Sequence, residues 1–467
     1  MEIQPLYKNH MFIKTVILLL ASSLAGILSR MLAFNSQQSL AIAIFSASVI
    51  GTLLFWNLRL SIGFLGASLL LITRTIDLDH FIKFASFEVI LFLVGMMILM
   101  AFLKDMGFFT WILTLILRIK NFTATKFLIL ISIISALFSC TVDEVTSIII
   151  MVAAIFEICD FFEVNPTPFV IGSVLTTNIG STGTVLGNPV GILIAAKSGL
   201  TFEDFLIKAF PLMLVCLTAV ILLLIIWFRR PLEEMDEKIK EHGTNEMFIR
   251  LISVPPDAPV KKGLWFFIVT LFLIGMHHRL EVLFDLPPNI LLFTIPIISS
   301  AIIMLLRFEK AQQYVQKDVE WGTLLFFIFL FAKAGTLRYT GASDVLAQKF
   351  SSLAGNNSYV LTSILLWVSS ITSSILDNVI VVASFVPIVQ SFQSLGFVFQ
   401  KFWWALLFGA CFGGNITLVG STANIVALGI LEKERNIKIT FLNWFWVGLS
   451  AGVITTGIAW CYLLFFK

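Results

Sequence analysis

Charge is scarce in this chain. Asp, Glu, Lys and Arg make up only 13% of its 467 residues, against 58% hydrophobic residues and a mean hydropathy of +0.98. A water-soluble fold of this length cannot bury so much apolar surface, so a soluble protein is excluded and the solvent around most of the chain is lipid. Cysteine is far rarer still. The five present (Cys140, Cys159, Cys216, Cys411 and Cys461) lie in apolar stretches without pairing or metal-ligand spacing, which excludes a disulfide framework and a structural metal centre and leaves small packing residues. Net charge is only +3 and no basic run interleaves with aromatics, so nucleic acid is not a partner. No P-loop motif occurs, which excludes direct ATP drive by this chain alone and leaves room for a soluble ATPase subunit on a separate chain. No cofactor is implied.

What the chain has in abundance is apolar runs. About 20 such residues cross the hydrocarbon core, and full spans are expected near 15–34, 38–57, 86–106, 125–141, 145–162, 207–228, 264–281, 289–306, 321–340, 358–376, 378–395 and 445–466. The first is longer than a signal-peptide core and lacks a cleavage site, so it reads as a retained span. The stretch 59–73 is marginal; 167–177, 184–196, 403–412 and 417–430 read as half-length helices split by glycine and asparagine. Trp56, Trp265, Trp321, Trp403, Trp404, Trp444 and Trp446 sit near span ends, where indole rings favour the membrane interface. The chain is therefore an integral, multi-pass protein, expected in a bacterial cytoplasmic membrane. One hydrophilic linker, Arg229 to Lys262, carries seven basic and seven acidic residues and a Pro255-Pro256-Asp257 turn; basic residues beside the flanking spans place it on the cytoplasmic side.

The most telling feature is said twice. Ser135-Ala-Leu-Phe-Ser-Cys-Thr-Val-Asp143-Glu144 reappears as Ser369-Ser-Ile-Thr-Ser-Ser-Ile-Leu-Asp377-Asn378, and each copy precedes a break rich in glycine and asparagine, at 178–187 and 413–420. Asp143 and Asp377 are 234 positions apart, Gly187 and Gly420 are 233 apart, and Phe87-Glu88 matches Val319-Glu320 ahead of both. The organisation read from this is an N-terminal scaffold of spans at 1–75, a first repeat at 85–228, the linker at 229–262, connecting spans at 263–317 and a second repeat at 318–467. The fold class is an all-α polytopic membrane protein with two repeats, each a hairpin turning inside the membrane plus a broken helix. Unwound backbone in hydrocarbon costs several kcal/mol per unpaired group, so breaks persist only where protein, water or an ion satisfies them, and duplicated breaks mark a transporter's binding cavity.

The candidate site residues follow. Asp143 and Asp377 are intramembrane carboxylates, which pair, take up protons or hold cations, or else cap the helix that follows. Glu144 and Asn378 stand beside them. Asn178, Thr182 and Asn188 in the first break, with Asn415, Thr417, Ser421 and Asn424 in the second, offer donors and acceptors to a solute. Gly180, Gly187, Gly413, Gly414 and Gly420 let backbone approach a ligand; tight helix packing explains the glycines too, but not the asparagines. A sodium ion is expected near Asp143 and Asn178 and near Asp377 and Asn415. Lys333, inside an apolar span, is a candidate counter-charge for an anion, or a residue snorkelling to the interface. His277, His278 and Arg279 end a span and are expected to face headgroups.

Asp377-Asn378 followed by Gly409-Ala-Cys-Phe-Gly-Gly-Asn415-Ile-Thr-Leu-Val-Gly420-Ser-Thr-Ala-Asn424 resembles the second-repeat motif of the arsenite permease and sodium/proton antiporter (ArsB/NhaD) ion-transporter superfamily, which includes citrate-type carriers. Val319-Glu-Trp-Gly-Thr-Leu-Leu-Phe and Gly95-Met-Met-Ile-Leu resemble its P-protein-like branch. The resemblance implies inverted repeats, re-entrant hairpins, a homodimer and elevator-like movement. The first half departs from the pattern: relatives commonly have Asp-Asn where this chain has Asp143-Glu144, and Gly-Asp-Pro-Pro-Asn where it has Gly187-Asn188-Pro189-Val190-Gly191. One acid is gained at 144 and one lost at 188.

The function expected is secondary active transport, not enzymatic, by alternating access coupled to Na+ or H+, the cargo being a small ion or polar solute: an anion, a metalloid oxyanion such as arsenite, or a di- or tricarboxylate. Coupling is by symport or antiport, and sodium/proton antiport is the alternative function. Two more distant readings are an intramembrane aspartyl protease, from the two aspartates, and a channel.

Overall fold

The computed structural model describes residues 4–32, 34–108, 111, 122–242, 258–355, 357–397 and 400–465. Every regular element among them is helical, and eight helices are long and apolar enough to cross a membrane. The long spans fall where apolar length places them, for example Phe87–Asp105, Ala124–Thr141, Trp321–Tyr339 and Phe441–Phe465. The span expected from 207 extends upstream to form Phe202–Trp227, with a π-helical turn at Phe205–Ala209. Part of the hydrophilic linker is a helix, Arg229–His242, whose Leu232, Met235 and Ile239 are buried on one face. Its Asp236 accepts the backbone N–H of Ala124 at 2.7 Å and so caps the start of the Ala124–Thr141 helix. The Pro255-Pro256-Asp257 turn lies outside the described residues.

The chain forms two compact units that alternate along the sequence. One comprises Met1–Ile90, Glu320–Leu361 and Val382–Gln400; the other comprises Leu91–Val319, Thr362–Val381 and Lys401–Lys467. In the first, the helices Ser36–Leu54, Arg59–Ile72, Leu78–Phe84 and Trp321–Tyr339 enclose a core of Ile44, Ala67, Leu70, Ile76, Phe81, Ala85 and Ala332. The start of Ser36–Leu54 is fixed by a capping box: Asn35 accepts from the Gln38 N–H at 2.8 Å and Gln38 accepts from the Asn35 N–H at 2.9 Å. Lys333 lies here, 1% exposed, its stem against the space left by Gly66.

The second unit contains both polar motifs. The first hairpin is Ala124–Thr141 and Glu144–Phe161, joined by Val142 and Asp143 alone; the tip of the second lies between the helices Ser358–Ser373 and Asn378–Ser394. The broken helices are Thr167–Gly180 with Pro189–Ser198, and Lys401–Gly413 with Thr422–Arg435. At 1.5 Å per residue, none of these four pieces spans a hydrocarbon core of about 30 Å. The halves expected from 184 and 417 begin later, at Pro189 and Thr422, because Asn188 and Ser421 cap them and the residues before are used as unwound backbone.

Candidate functional site

Each hairpin tip is pinned to the break of its own repeat, and the pins match. The Thr184 hydroxyl donates to the Cys140 carbonyl, and the Thr417 hydroxyl donates to the Ser374 carbonyl. Each threonine also accepts an N–H two residues on, from Leu186 at 3.1 Å and Val419 at 3.3 Å. The broken helices approach the hairpins with equal closeness: a Cβ on Gly180 would sit 2.1 Å from the Ala136 carbonyl oxygen, and one on Gly413 would sit 2.2 Å from that of Ser370. Only glycine permits this contact. These paired geometries carry the sequence repeat into three dimensions.

Where the breaks meet, Asn178 is the hub. Its Nδ2 donates to Asn415 Oδ1 at 2.8 Å and to Asn424 Oδ1 at 2.9 Å, and its Oδ1 accepts from Ser421 Oγ at 3.0 Å. Asn424 in turn donates to the carbonyls of Gly414 and Thr417, at 2.8 and 2.9 Å, and Asn415 donates to that of Leu175 at 3.2 Å. All four side chains are fully buried. The amides thereby satisfy unwound carbonyls that lipid could not, which is what lets the breaks persist.

Beside this hub lies a carboxylate centre. Asp143 caps its helix, Oδ1 accepting the Val145 and Thr146 N–H groups at 2.8 and 3.1 Å. Asp377 does likewise toward Val379 at 3.0 Å, while its Oδ2 accepts both the N–H and the hydroxyl of Thr422, at 3.0 and 2.6 Å. Capping is thus one role of both aspartates. Glu144 is buried and faces two amides: Asn378 Nδ2 lies 3.4 and 3.3 Å from its two oxygens, and Asn188 Nδ2 lies 3.5 Å from one. Asn188 also donates to Ser181 Oγ at 2.9 Å and Cys411 Sγ at 3.3 Å. Glu144 takes part in none of the ion pairs formed among the described residues.

Nearly all of the candidates therefore gather in one buried region of the second unit: Asp143, Glu144, Asn178, Asn188, Asp377, Asn378, Asn415, Ser421 and Asn424. Thr417 is a pin beside it, and Thr182 bonds back into its own helix at Ile179. Lys333 belongs to the first unit. Three participants escape a reading of the sequence. Cys411 reads as a packing residue and Ser181 is not singled out at all, yet both receive the Asn188 amide. Trp444 reads as an interfacial ring but is fully buried, and its Nε1 donates to the Asn415 carbonyl at 3.0 Å. Gly448, one turn on, is the available signal, since a Cβ there would lie 2.4 Å from that same carbonyl. Trp403 and Trp404 are likewise buried, Trp404 packed on Phe205 and Phe408, and His277 is buried against the Ile274 carbonyl and Asn289 rather than facing headgroups.

The citrate transporter family model, CitMHS, matches residues 52–409. The chain belongs to the citrate transporter family. Among its relatives, the uncharacterized transporter Rv2685 of Mycobacterium tuberculosis is 31% identical over 375 residues, covering 80% of this chain and 83% of the relative. The human P protein is 25% identical over 506 residues, covering 92% of this chain and 60% of the P protein. Among solved structures, the Alcanivorax borkumensis YdaH transporter, described as having an unusual topology, superposes with a TM-score of 0.54 at 13% identity, covering 82% of this chain and 86% of that one. The family and these relatives make the protein an integral membrane transporter, not an enzyme, with the fold of repeated hairpins and broken helices and with the P-protein likeness expected from its motifs.

Proposed function

We propose that the chain is a secondary active carrier that moves a small ion or polar solute by alternating access, coupled to Na+ or H+. The observation that carries this reading is the buried amide and hydroxyl hub in which Asn178 of one break bonds Asn415, Ser421 and Asn424 of the other. Two half-helices begin beside it, at Pro189 and Thr422, and their positive dipole ends suit an anion. A carboxylate such as citrate, after which the family is named, or a metalloid oxyanion such as arsenite fits this chemistry. A homodimer whose transport unit moves like an elevator, re-entrant hairpins and a cytoplasmic linker belong to the same proposal.

A second reading, sodium/proton antiport, is favoured by one observation: Glu144 is a buried carboxylate with amide partners and no basic one. Proteoliposome uptake separates the two. Labelled citrate or arsenite accumulating only under an imposed Na+ or H+ gradient supports solute transport; Na+ exchanging for H+ with no added solute supports antiport; leakage insensitive to either gradient contradicts both.

A further inference from the structure

Away from the hairpins, three helices of the second unit bring their ends together. Phe87–Asp105 and Ile290–Leu306 finish there, and Ala258–Gly275 begins there. They pack closely: a Cβ on Gly95 would lie 2.6 Å from the Pro296 backbone, and the hydroxyls of Thr270 and Ser299 meet at 3.1 Å. Met106 is the common point of the three ends. The Arg307 guanidinium reaches its sulfur at 3.7 Å, and a Cβ on Gly263 would lie 2.8 Å from its Cγ. Five basic residues stand around it: Lys104, then Lys261 and Lys262 at the start of Ala258–Gly275, then Arg307 and Lys310 just past Leu306.

The protein balances only part of this charge. Asp105 Oδ2 is taken by Lys310 Nζ at 2.7 Å and by the Tyr314 hydroxyl at 2.8 Å. Arg307 is left with a thioether, a weak acceptor for a guanidinium. Lys104, Lys261 and Lys262 are exposed and, like the exposed Glu309, form no ion pair among the described residues. The helix dipole favours cations at the two C-terminal ends, but Lys261 and Lys262 stand at the start of a helix, where it disfavours them. Beside these charges Trp265, Leu305 and Phe308 are 67%, 79% and 74% exposed. Such an aromatic and aliphatic rim belongs at the level where acyl chains meet headgroups.

We propose that this patch is a binding site for an anionic phospholipid, its phosphate held by Arg307, Lys261 and Lys262 and its acyl chains lying along Trp265, Leu305 and Phe308. A basic pocket between membrane helices supplies the missing counter-charge in this way, and the guanidinium fork matches a phosphate's geometry. The purified full-length chain in neutral detergent is unfolded by heat while phosphatidylglycerol, phosphatidylcholine or inorganic phosphate is added at fixed ionic strength. Phosphatidylglycerol gives a saturable rise in melting temperature, because a ligand that binds only the folded state stabilises it; the other two give none. Lys261→Gln/Lys262→Gln raises the half-saturating lipid concentration at least tenfold. Arg307→Lys, which keeps the charge and loses the fork, raises it several-fold. Lys433→Gln/Lys438→Gln removes the same charge at the far end of Thr422–Arg435 and leaves it within twofold.

No saturable shift with phosphatidylglycerol, or an equal shift with phosphatidylcholine, overturns the site. A shift that inorganic phosphate reproduces overturns it too, since the patch would then hold a free anion and not a lipid. Equal weakening in Lys433→Gln/Lys438→Gln and Lys261→Gln/Lys262→Gln would reduce the effect to net charge, and unchanged affinity in both Lys261→Gln/Lys262→Gln and Arg307→Lys would remove the patch from it. The readout involves no transport, so the lipid site and the carrier reading stand or fall separately.

Discussion

At the scale of single residues, Asn178 shows why an amide and not an acid stands at the hub. Its Nδ2 faces two oxygens, Asn415 Oδ1 and Asn424 Oδ1, whose own amide nitrogens are held by backbone carbonyls and so cannot turn round. Asn178→Asp changes the shape hardly at all but sets a carboxylate against two acceptors in a dry interior. Each stranded polar group costs about 1–3 kcal/mol, so the substitution is expected to destabilise the folded chain by roughly 2–5 kcal/mol and to abolish uptake. Thermal unfolding in detergent checks this, and a melting temperature equal to the wild type's would contradict the hub. Glu144 is the opposite case, an acid where the second repeat carries the amide of Asn378, set among amides that relieve its charge only in part.

At the scale of elements, each repeat is a hairpin and a broken helix held in register by one threonine. Thr417→Val removes both the bond to Ser374 and the acceptor for the Val419 N–H, leaving a buried carbonyl without its donor. A loss of about 1–3 kcal/mol follows, with faster proteolysis at the 414–421 break, measured by limited digestion; Thr184→Val is expected to act the same way at 181–188. Resistance equal to the wild type's in both variants would show that the pins do not hold the breaks.

Much of this element pattern is legible in the sequence, because the glycine and asparagine clusters interrupt apolar runs too short to cross a membrane and recur at a constant spacing. The exact starts of the second halves are not. Thr184-Val-Leu and Thr417-Leu-Val look like helix by hydropathy, and only the pinning bonds show that their backbone is unwound. Trp444 and Cys411 escape for a related reason: an apolar side chain within an apolar run gives no sign of the single polar atom it presents until its neighbour is known.

At the scale of the whole molecule, the polar duplication is confined to one of two compact units, and Lys333 stands in the other. It is 1% exposed and no ion pair or hydrogen bond to it forms among the described residues. Burying such a group is costly unless it is paired. Lys333→Met fills the same volume without the charge and is expected to raise the melting temperature; a fall would reveal a stabilising partner for the amine. Transport, by contrast, is expected to depend on the unit that contains both hairpin tips.

The most direct measurement of the central claim is concentrative uptake by the purified chain in sealed proteoliposomes, with labelled citrate or arsenite outside and an imposed Na+ or H+ gradient as the sole energy source. The account predicts that the solute rises inside above its external concentration, that collapsing the gradient with an ionophore returns it to equality, and that Asn178→Asp abolishes the rise. Equilibration at a rate indifferent to both gradients, or ionic currents far above carrier turnover, would contradict it.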